Sequence, residues 1–342
     1  MPRAPVFWWN EPGLVAHLLA PAAALYGAIA GARLKRPGFR APVPVLCVGD
    51  PTLGGGGKTP AVIALAEILS AVGEIPHILS RGYDGRTPGP VLVDPARTDA
   101  RAVGDEPLLL AHAAPTWVAR DRVAAAKSAA ARGASALLLD DGFQNPSLAK
   151  DLSLLVLDGE TGIGNARVFP AGPLRAPLMA QLARAQAVIR IGQGRAGEAV
   201  VAAAKAHRLP VLAARLVPDS AIARSLSGTR LLAFAGIARP EKFFATLRAI
   251  GAEVVERRAF PDHHTYTAIE AQALLADARV KNLRLATTEK DRARMQGDPA
   301  LAELAAAAVA VPVKLEFEDR AAVQALVAGA LASARGRSAA AL

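Results

Sequence analysis

Four consecutive glycines, Gly54 to Gly57, stand directly before Lys58 and Thr59. Those residue types in that order make a phosphate cradle. Glycine N–H groups close on an anion with no Cβ in the way, a lysine ammonium reaches the outer phosphates, and a threonine hydroxyl can join a Mg²⁺ shell. The pattern G-x-x-x-x-G-K-[ST] asks for glycine at its first position, where this chain has Thr52. The loop Thr52, Leu53, Gly54, Gly55, Gly56, Gly57, Lys58, Thr59 is nevertheless read as a nucleotide site because of its flanks. A valine-rich apolar run over 43–48 predicts a buried strand before it. A helix opening at Lys58, with Pro60 tolerated in its first turn, adds about half a positive charge at the loop.

Carboxylates follow at the ends of two later segments. The apolar run 136–139 predicts a strand closing in Asp140 and Asp141, the Walker-B arrangement in which an acid holds Mg²⁺ directly or through water. Asp105 and Glu106 precede a predicted apolar helix over 108–113. They either cap that helix or supply a base for a hydroxyl proton, and spacing leaves both readings open.

Arginines sit at further strand ends, where open α/β sheets collect their ligands. Arg81 ends a predicted strand over 75–79, placed to meet phosphate or substrate, or else to form a surface ion pair. Arg122 opens a helix over 123–132 after a strand over 116–119, and the proline-rich loop 169–175 presents Arg175. Downstream, the runs F-P-D-H-H and T-T-E-K-D follow strands predicted over 254–257 and 284–288. The adjacent His263 and His264 lack the further ligands that zinc needs. Either one of them pairs with a carboxylate to tune a base, or the pair forms a polar helix cap.

The elements that position these groups predict two α/β/α domains, with 342 residues ample for two cores. The first, over 41–215, is a RecA-like P-loop sheet extended by strands over 151–157 and 187–191. The second, over 216–317, has strands over 230–235, 254–257 and 284–288, with a helix over 240–249 and no glycine loop. The stretches 209–217 and 308–317 are expected to cross between domains as a two-stranded hinge. A final helix over 318–336 then returns to the first domain.

The net charge of +10 predicts anionic partners: nucleotides, a phosphorylated substrate or an anionic membrane surface. Nucleic acid is not expected, since zinc spacings and lysine runs interleaved with aromatics are both missing. The single cysteine, Cys47, excludes an internal disulfide and reads as a small buried hydrophobe in a reducing compartment.

Residues 1–40 differ from the rest. Phe7, Trp8 and Trp9 precede a stretch over 12–32 with no charge apart from His17, and Arg33, Lys35, Arg36 and Arg40 follow. Indoles beside an apolar helix flanked by cations predict a membrane-surface helix, with packing on the first domain as the alternative. Its length would permit a single span, but Pro21, Gly27 and Gly31 make it weakly hydrophobic. The cations follow the apolar run, which is the wrong order for a cleavable signal.

Taken in order, T-L-G-G-G-G-K-T-P, S-R-G-Y, V-G-D-E-P, L-L-D-D-G-F-Q, F-P-A-G-P-L-R, F-P-D-H-H and T-T-E-K-D resemble the tetraacyldisaccharide 4′-kinases of lipid A synthesis. The resemblance runs from the aromatic N-terminus to about Asp291. It implies ATP and Mg²⁺, and as acceptor the 4′-hydroxyl of a tetraacylated glucosamine disaccharide 1-phosphate. It implies a site at the cytoplasmic face of the inner membrane; an oligomer is not expected.

Thr52 at the first loop position is the pattern of that family. By resemblance Asp105 is the catalytic base and His263 its partner across the interdomain cleft. Thr59, Asp140 and Asp141 surround the metal, and Arg81, Arg122 and Arg175 lie near phosphates or lipid. One departure stands at Asn145, where the family has histidine. Two other functions are compatible with a P-loop here: a kinase for a different membrane-bound or phosphorylated acceptor, and a membrane-recruited ATPase switch. The arginine set and the Asp–His pair weigh against the switch, which needs no hydroxyl base.

Overall fold

The strands that carry the site are mostly apolar runs. In the computed structural model, which describes residues 4–54 and 56–339, they are β1 (Val45–Gly49), β2 (Pro76–Ser80), β3 (Val91–Leu92), β4 (Thr116–Val118), β5 (Ala136–Asp140), β6 (Leu152–Asp158), β7 (Ala187–Ile191) and β8 (Val211–Pro218). Every residue of β1, β2, β5 and β6 is buried. Continuous Val and Leu runs of this kind suit a parallel sheet covered on both faces.

Alternation along each strand then divides the core in two. Val45 and Cys47, with Leu137, Leu139, Leu155 and Leu157, face one layer of helices. Leu46 and Val48, with Leu138, Leu154 and Val156, face the other. The helices Ala20–Leu34, Arg122–Ala131 and Glu198–Ala206 cover the first side, and Lys58–Ala71 and Arg320–Ala339 the second.

A smaller parallel sheet follows, built from β9 (Arg230–Ala235), β10 (Glu253–Ala259), β11 (Arg284–Thr288) and β12 (Val309–Val311) in the order β10-β9-β11-β12. The chain re-enters the large sheet through β13 (Val313–Phe317), which pairs antiparallel with β8. The large sheet then reads β13-β8-β7-β6-β1-β5-β2-β4-β3, with β3 the other antiparallel edge.

The extended stretch 308–317 is therefore two strands in two sheets rather than one crossing. Pro312 separates them because it brings no N–H to either ladder. Its carbonyl instead accepts from the Asp219 amide at 2.9 Å, beside the other strand of the crossing pair. The final helix does return to the large sheet, with Val323, Val327 and Leu331 buried in its second core layer.

The uncharged N-terminal stretch is likewise split, into the helices Leu14–Leu18 and Ala20–Leu34. Pro21 lies in the first turn of the second helix, where its missing N–H is harmless, but it cannot continue a helix from upstream. Among the described residues no helix is long and apolar enough to cross a membrane.

Candidate active site

The glycine loop leaves β1 at Gly49 and is held shut by one acid that sequence reasoning passed over. Asp50, 2 % exposed, accepts from the Thr52 amide at 2.6 Å, the Thr52 hydroxyl at 3.0 Å and Lys58 Nζ at 3.0 Å. Thr52 thus earns its place at the first loop position through a side-chain bond that glycine cannot make. Leu53 is anchored by its amide on the Pro173 carbonyl at 2.8 Å.

Gly57 turns the chain into the helix at φ +95°, and a Cβ there would lie 2.3 Å from Ile191 Cδ1. Gly54 and Gly56 lie in the same loop, and Gly55 lies outside the described residues. Burial disfavours the Lys58 ammonium, but the carboxylates of Asp50 and then Asp141 outweigh it and hold Lys58 above the usual lysine range.

Thr59 is buried in the first turn. At the end of β5, Asp140 accepts from the Ser80 hydroxyl at 3.1 Å through Oδ2, and Asp141 from Arg175 Nη1 at 3.1 Å through Oδ2. The other oxygen of each acid, Oδ1, is buried without a partner among the described residues. Burial, with Glu106 and Asp141 nearby, pushes the Asp140 carboxyl up to about 7. Two orphaned carboxylate oxygens beside a lysine and a threonine hydroxyl fit a hard divalent cation that keeps most of its shell as water and phosphate.

Arg175 also donates Nε to the Thr52 carbonyl at 2.8 Å, so the proline loop ties the glycine loop to Asp141. That loop is in turn seated on the N-terminal segment. Trp8 Nε1 donates to the Pro170 carbonyl at 3.0 Å, and the rings of Trp8 and Tyr26 meet Phe169 edge-on.

The acids of V-G-D-E-P begin the helix Asp105–Ala111 and point at the smaller sheet's unit. Arg294, on the helix Glu289–Met295, forks onto Asp105 Oδ2 at 2.8 Å from Nε and 2.5 Å from Nη2. Lys290, one turn earlier, donates to Glu106 Oε1 at 2.6 Å. His263 Nδ1 stands 3.6 Å from Asp105 Oδ1, an electrostatic contact longer than a closed hydrogen bond.

Burial alone would raise the Asp105 pKa. The contact with His263 and the charges of Arg294 and Lys290 overcome it and hold the group well below the ordinary carboxylate range. The same contact raises His263 against its burial. Asp291, wholly buried, gathers the Gly236 amide at 2.9 Å, the Tyr266 hydroxyl at 2.8 Å, the Thr288 hydroxyl at 2.5 Å and Arg294 Nη1 at 2.9 Å. It fixes the root of the arginine that reaches Asp105.

The structure brings Asp105, His263, Lys58, Asp140, Asp141 and Arg175 to the cleft between the sheets. Arg81, by contrast, is exposed at the end of β2. Arg122 is buried and donates Nη1 to the Ala119 carbonyl at 2.7 Å, while Nε has no partner among the described residues. His264 belongs to a different structure: it stacks on Phe260 and bonds Glu270, the acid of the capping box with Thr267. Both histidines therefore face a carboxylate, His264 within a helix cap at 3.0 Å from Glu270 and His263 at 3.6 Å from Asp105.

Sequence reasoning singled out T-T-E-K-D without a role for Lys290, and missed Arg294 and a second clasp, in which Arg239 and Lys242 converge on Asp158 at the end of β6. The four-residue spacing of Lys290 and Arg294 put both on one helix face and was the available signal.

Comparison with known proteins gives one family. The model of the tetraacyldisaccharide-1-P 4′-kinases matches residues 15–332. A tetraacyldisaccharide 4′-kinase of Bradyrhizobium sp. (strain ORS 278) is 52 % identical over 97 % of this chain and 99 % of its own. One of Methylobacterium sp. (strain 4-46) is 54 % identical over 98 % and 99 %. Among solved structures, LpxK from Aquifex aeolicus in complex with ATP superposes with a TM-score of 0.70 at 24 % identity, covering 93 % of this chain and all of that one. That likeness confirms a mixed α/β fold with a large, mainly parallel sheet.

Proposed function

The chain belongs to the tetraacyldisaccharide-1-P 4′-kinase family, and from that premise we propose how its cleft transfers a phosphoryl group to the 4′-hydroxyl of the lipid A precursor. ATP lies with its phosphates in the loop Thr52, Leu53, Gly54, Gly55, Gly56, Gly57, Lys58, Thr59. Lys58 neutralises the outer phosphates, and Asp50 holds its ammonium in line. Thr59, Asp140 and Asp141 would hold Mg²⁺, which spreads the charge of the transferring group when bound. Asp105 accepts the proton of the sugar hydroxyl as the nucleophile attacks, and His263 steadies the carboxylate from the other side of the cleft. Arg175 meets charge at the loop, with Arg81 and Arg122 as the further cations of the phosphate and lipid surroundings.

The observation that carries the reading is the pair of buried, orphaned oxygens on Asp140 and Asp141 beside Lys58. Carboxylate oxygens left without donors cost stability there and have a direct use in binding metal phosphate. β8 and β13 act as the hinge between the P-loop domain (41–215 with the last helix) and the smaller domain (216–317).

The N-terminal helices lie on the membrane as a peripheral anchor, which puts the cleft at headgroup height on the cytoplasmic side of the inner membrane. Their outward residues support this: Leu14, Leu18, Leu25 and Ile29 are between 56 % and 76 % exposed, beside Arg33, Lys35 and Arg36. Incubation with γ-labelled ATP, Mg²⁺ and the tetraacyl disaccharide 1-phosphate is expected to yield a labelled bisphosphate. Absence of product across a detergent series would overturn the assignment.

A further inference from the structure

A cluster of cations lies away from the transfer site. A cavity of about 350 Å³ opens below the C-terminal end of the helix Ala20–Leu34 and is lined by Arg36, Arg40, Lys150 and Arg184. It borders Ser153 and Gln186, at the N-terminal ends of β6 and β7, whereas the glycine loop leaves the C-terminal end of β1. Among the described residues no carboxylate stands within ion-pair distance of Arg36, Lys150 or Arg184. Arg40 reaches only Asp151 at 3.5 Å, an acid already taken at 2.6 Å by Arg337.

Of the chain's other largely buried cations, only Arg122, held on the Ala119 carbonyl, likewise lacks an ion-paired carboxylate among the described residues. Lys58, Lys290 and Arg294 each face a carboxylate, while the Lys150 ammonium donates only to the carbonyls of Asn145 at 2.6 Å and Leu148 at 3.3 Å. Burial pushes Lys150 down from the ordinary lysine range, with the Arg184 charge adding to the effect. Four cations around one hollow repel each other until an anion enters.

The neighbouring surface says which anion. Leu25, Tyr26 and Ile29 of the same helix are exposed, and so is Met179, whose helix Leu178–Leu182 runs directly into Ala183 and Arg184 of the lining. We propose that this cavity takes the phosphate of one anionic glycerophospholipid, whose acyl chains lie along that apolar face. The proposal rests on the membrane-surface reading of the N-terminal helices.

The test is co-sedimentation of the full chain with phosphatidylcholine vesicles, with and without phosphatidylglycerol. Arg36→Gln/Arg184→Gln removes two cavity cations. Arg33→Gln/Lys35→Gln removes the same amount of charge beside Arg36 without touching the cavity lining. In ~0.5 M salt, where diffuse attraction is screened within a few ångström, the phosphatidylglycerol-dependent gain should fall about tenfold for the cavity pair and less than about threefold for the control. Equal losses in the two variants would overturn the site.

Binding to neutral vesicles that is lost in Leu25→Asp/Ile29→Asp supports the underlying membrane reading. Wild-type protein that binds neither vesicle overturns that reading, and the lipid proposal falls with it. In a further arm, inorganic phosphate is added at saturating MgADP, which fills the glycine loop. Protection from unfolding in wild type but not in Lys150→Met, with no vesicle difference between the two pairs, would replace the lipid by a free anion.

Discussion

The two halves of the cleft treat their carboxylates in opposite ways. On the large-sheet side, Asp140 and Asp141 each keep a buried oxygen without a donor, and burial drives Asp140 up to about 7. Where the large-sheet unit's Asp105 and Glu106 meet the smaller unit, and at Asp291 beneath that contact, each acid has found its donors. Asp291 collects four donors, Asp105 takes the Arg294 fork, and Glu106 takes Lys290. Unsatisfied buried acids cost stability and are kept for a ligand, whereas saturated ones fix geometry. The first half is built to bind and the second to hold.

Substitution should break the halves differently. Asp141→Asn, which keeps an oxygen for Arg175 Nη1, is expected to lower kcat by about 10³-fold, the scale of a lost electrostatic stabiliser, while the unfolding midpoint in denaturant stays level or rises. A parallel fall in stability would show that Asp141 is structural and would erase the contrast. Asp291→Ala should do the reverse. It strips Arg294 of one of its two buried carboxylates and leaves the Tyr266 hydroxyl and the Gly236 amide unmatched, for a loss of about 3 kcal/mol in urea unfolding. ATP affinity at the other half should be unchanged, and a stable variant with weakened nucleotide binding would contradict the division.

The same division explains what the sequence disclosed. The binding half is local: a strand, a glycine loop and a helix N-terminus, then acids closing another apolar strand, each recognisable within a dozen residues. Asp50 escaped notice because its role, three bonds folded back onto Thr52 and Lys58, follows from loop geometry and leaves no periodic trace.

The holding half is non-local. Arg294 and Asp105 are separated by 189 residues, and only the packing of two units brings them together. His263 as partner of Asp105 rested on family resemblance, and residue type alone could not separate it from His264. The split of 308–317 at Pro312 and of the N-terminal stretch before Pro21 were both legible from proline chemistry, but were read as continuous elements because their apolar character is continuous.

Asp105 stands on the seam between the halves and tests the comparison most directly. It is saturated like the holding side but is the base of the proposed transfer. Asp105→Ala should cost roughly 10²-fold in kcat, the scale of a positioned base, with ATP affinity little changed. Arg294→Lys, which keeps charge but loses the fork, should retain more activity than Arg294→Met and move the acid limb of the pH–rate profile upward, because Asp105 then ionises less readily. Identical profiles for Arg294→Lys, Arg294→Met and wild type would show that Arg294 only packs.

The smallest expected effect is the pH dependence of the His263 contact. Asp105 raises the folded pKa of His263 above its ordinary value near 6.5. The sign follows from linkage: the protonated form is favoured in the native state, so the contact's contribution is complete below the unfolded pKa and disappears as pH rises through the folded one. Wild type should therefore exceed His263→Asn in stability by up to about 1 kcal/mol at pH 6, the range of a partly exposed pair, and the gap should close by pH 9. Asp105 stays ionised across that window because its own pKa is depressed, which assigns the change to the imidazole. A gap that widened with pH would mean that His263 is held neutral at the cleft, and would place it with the binding half instead.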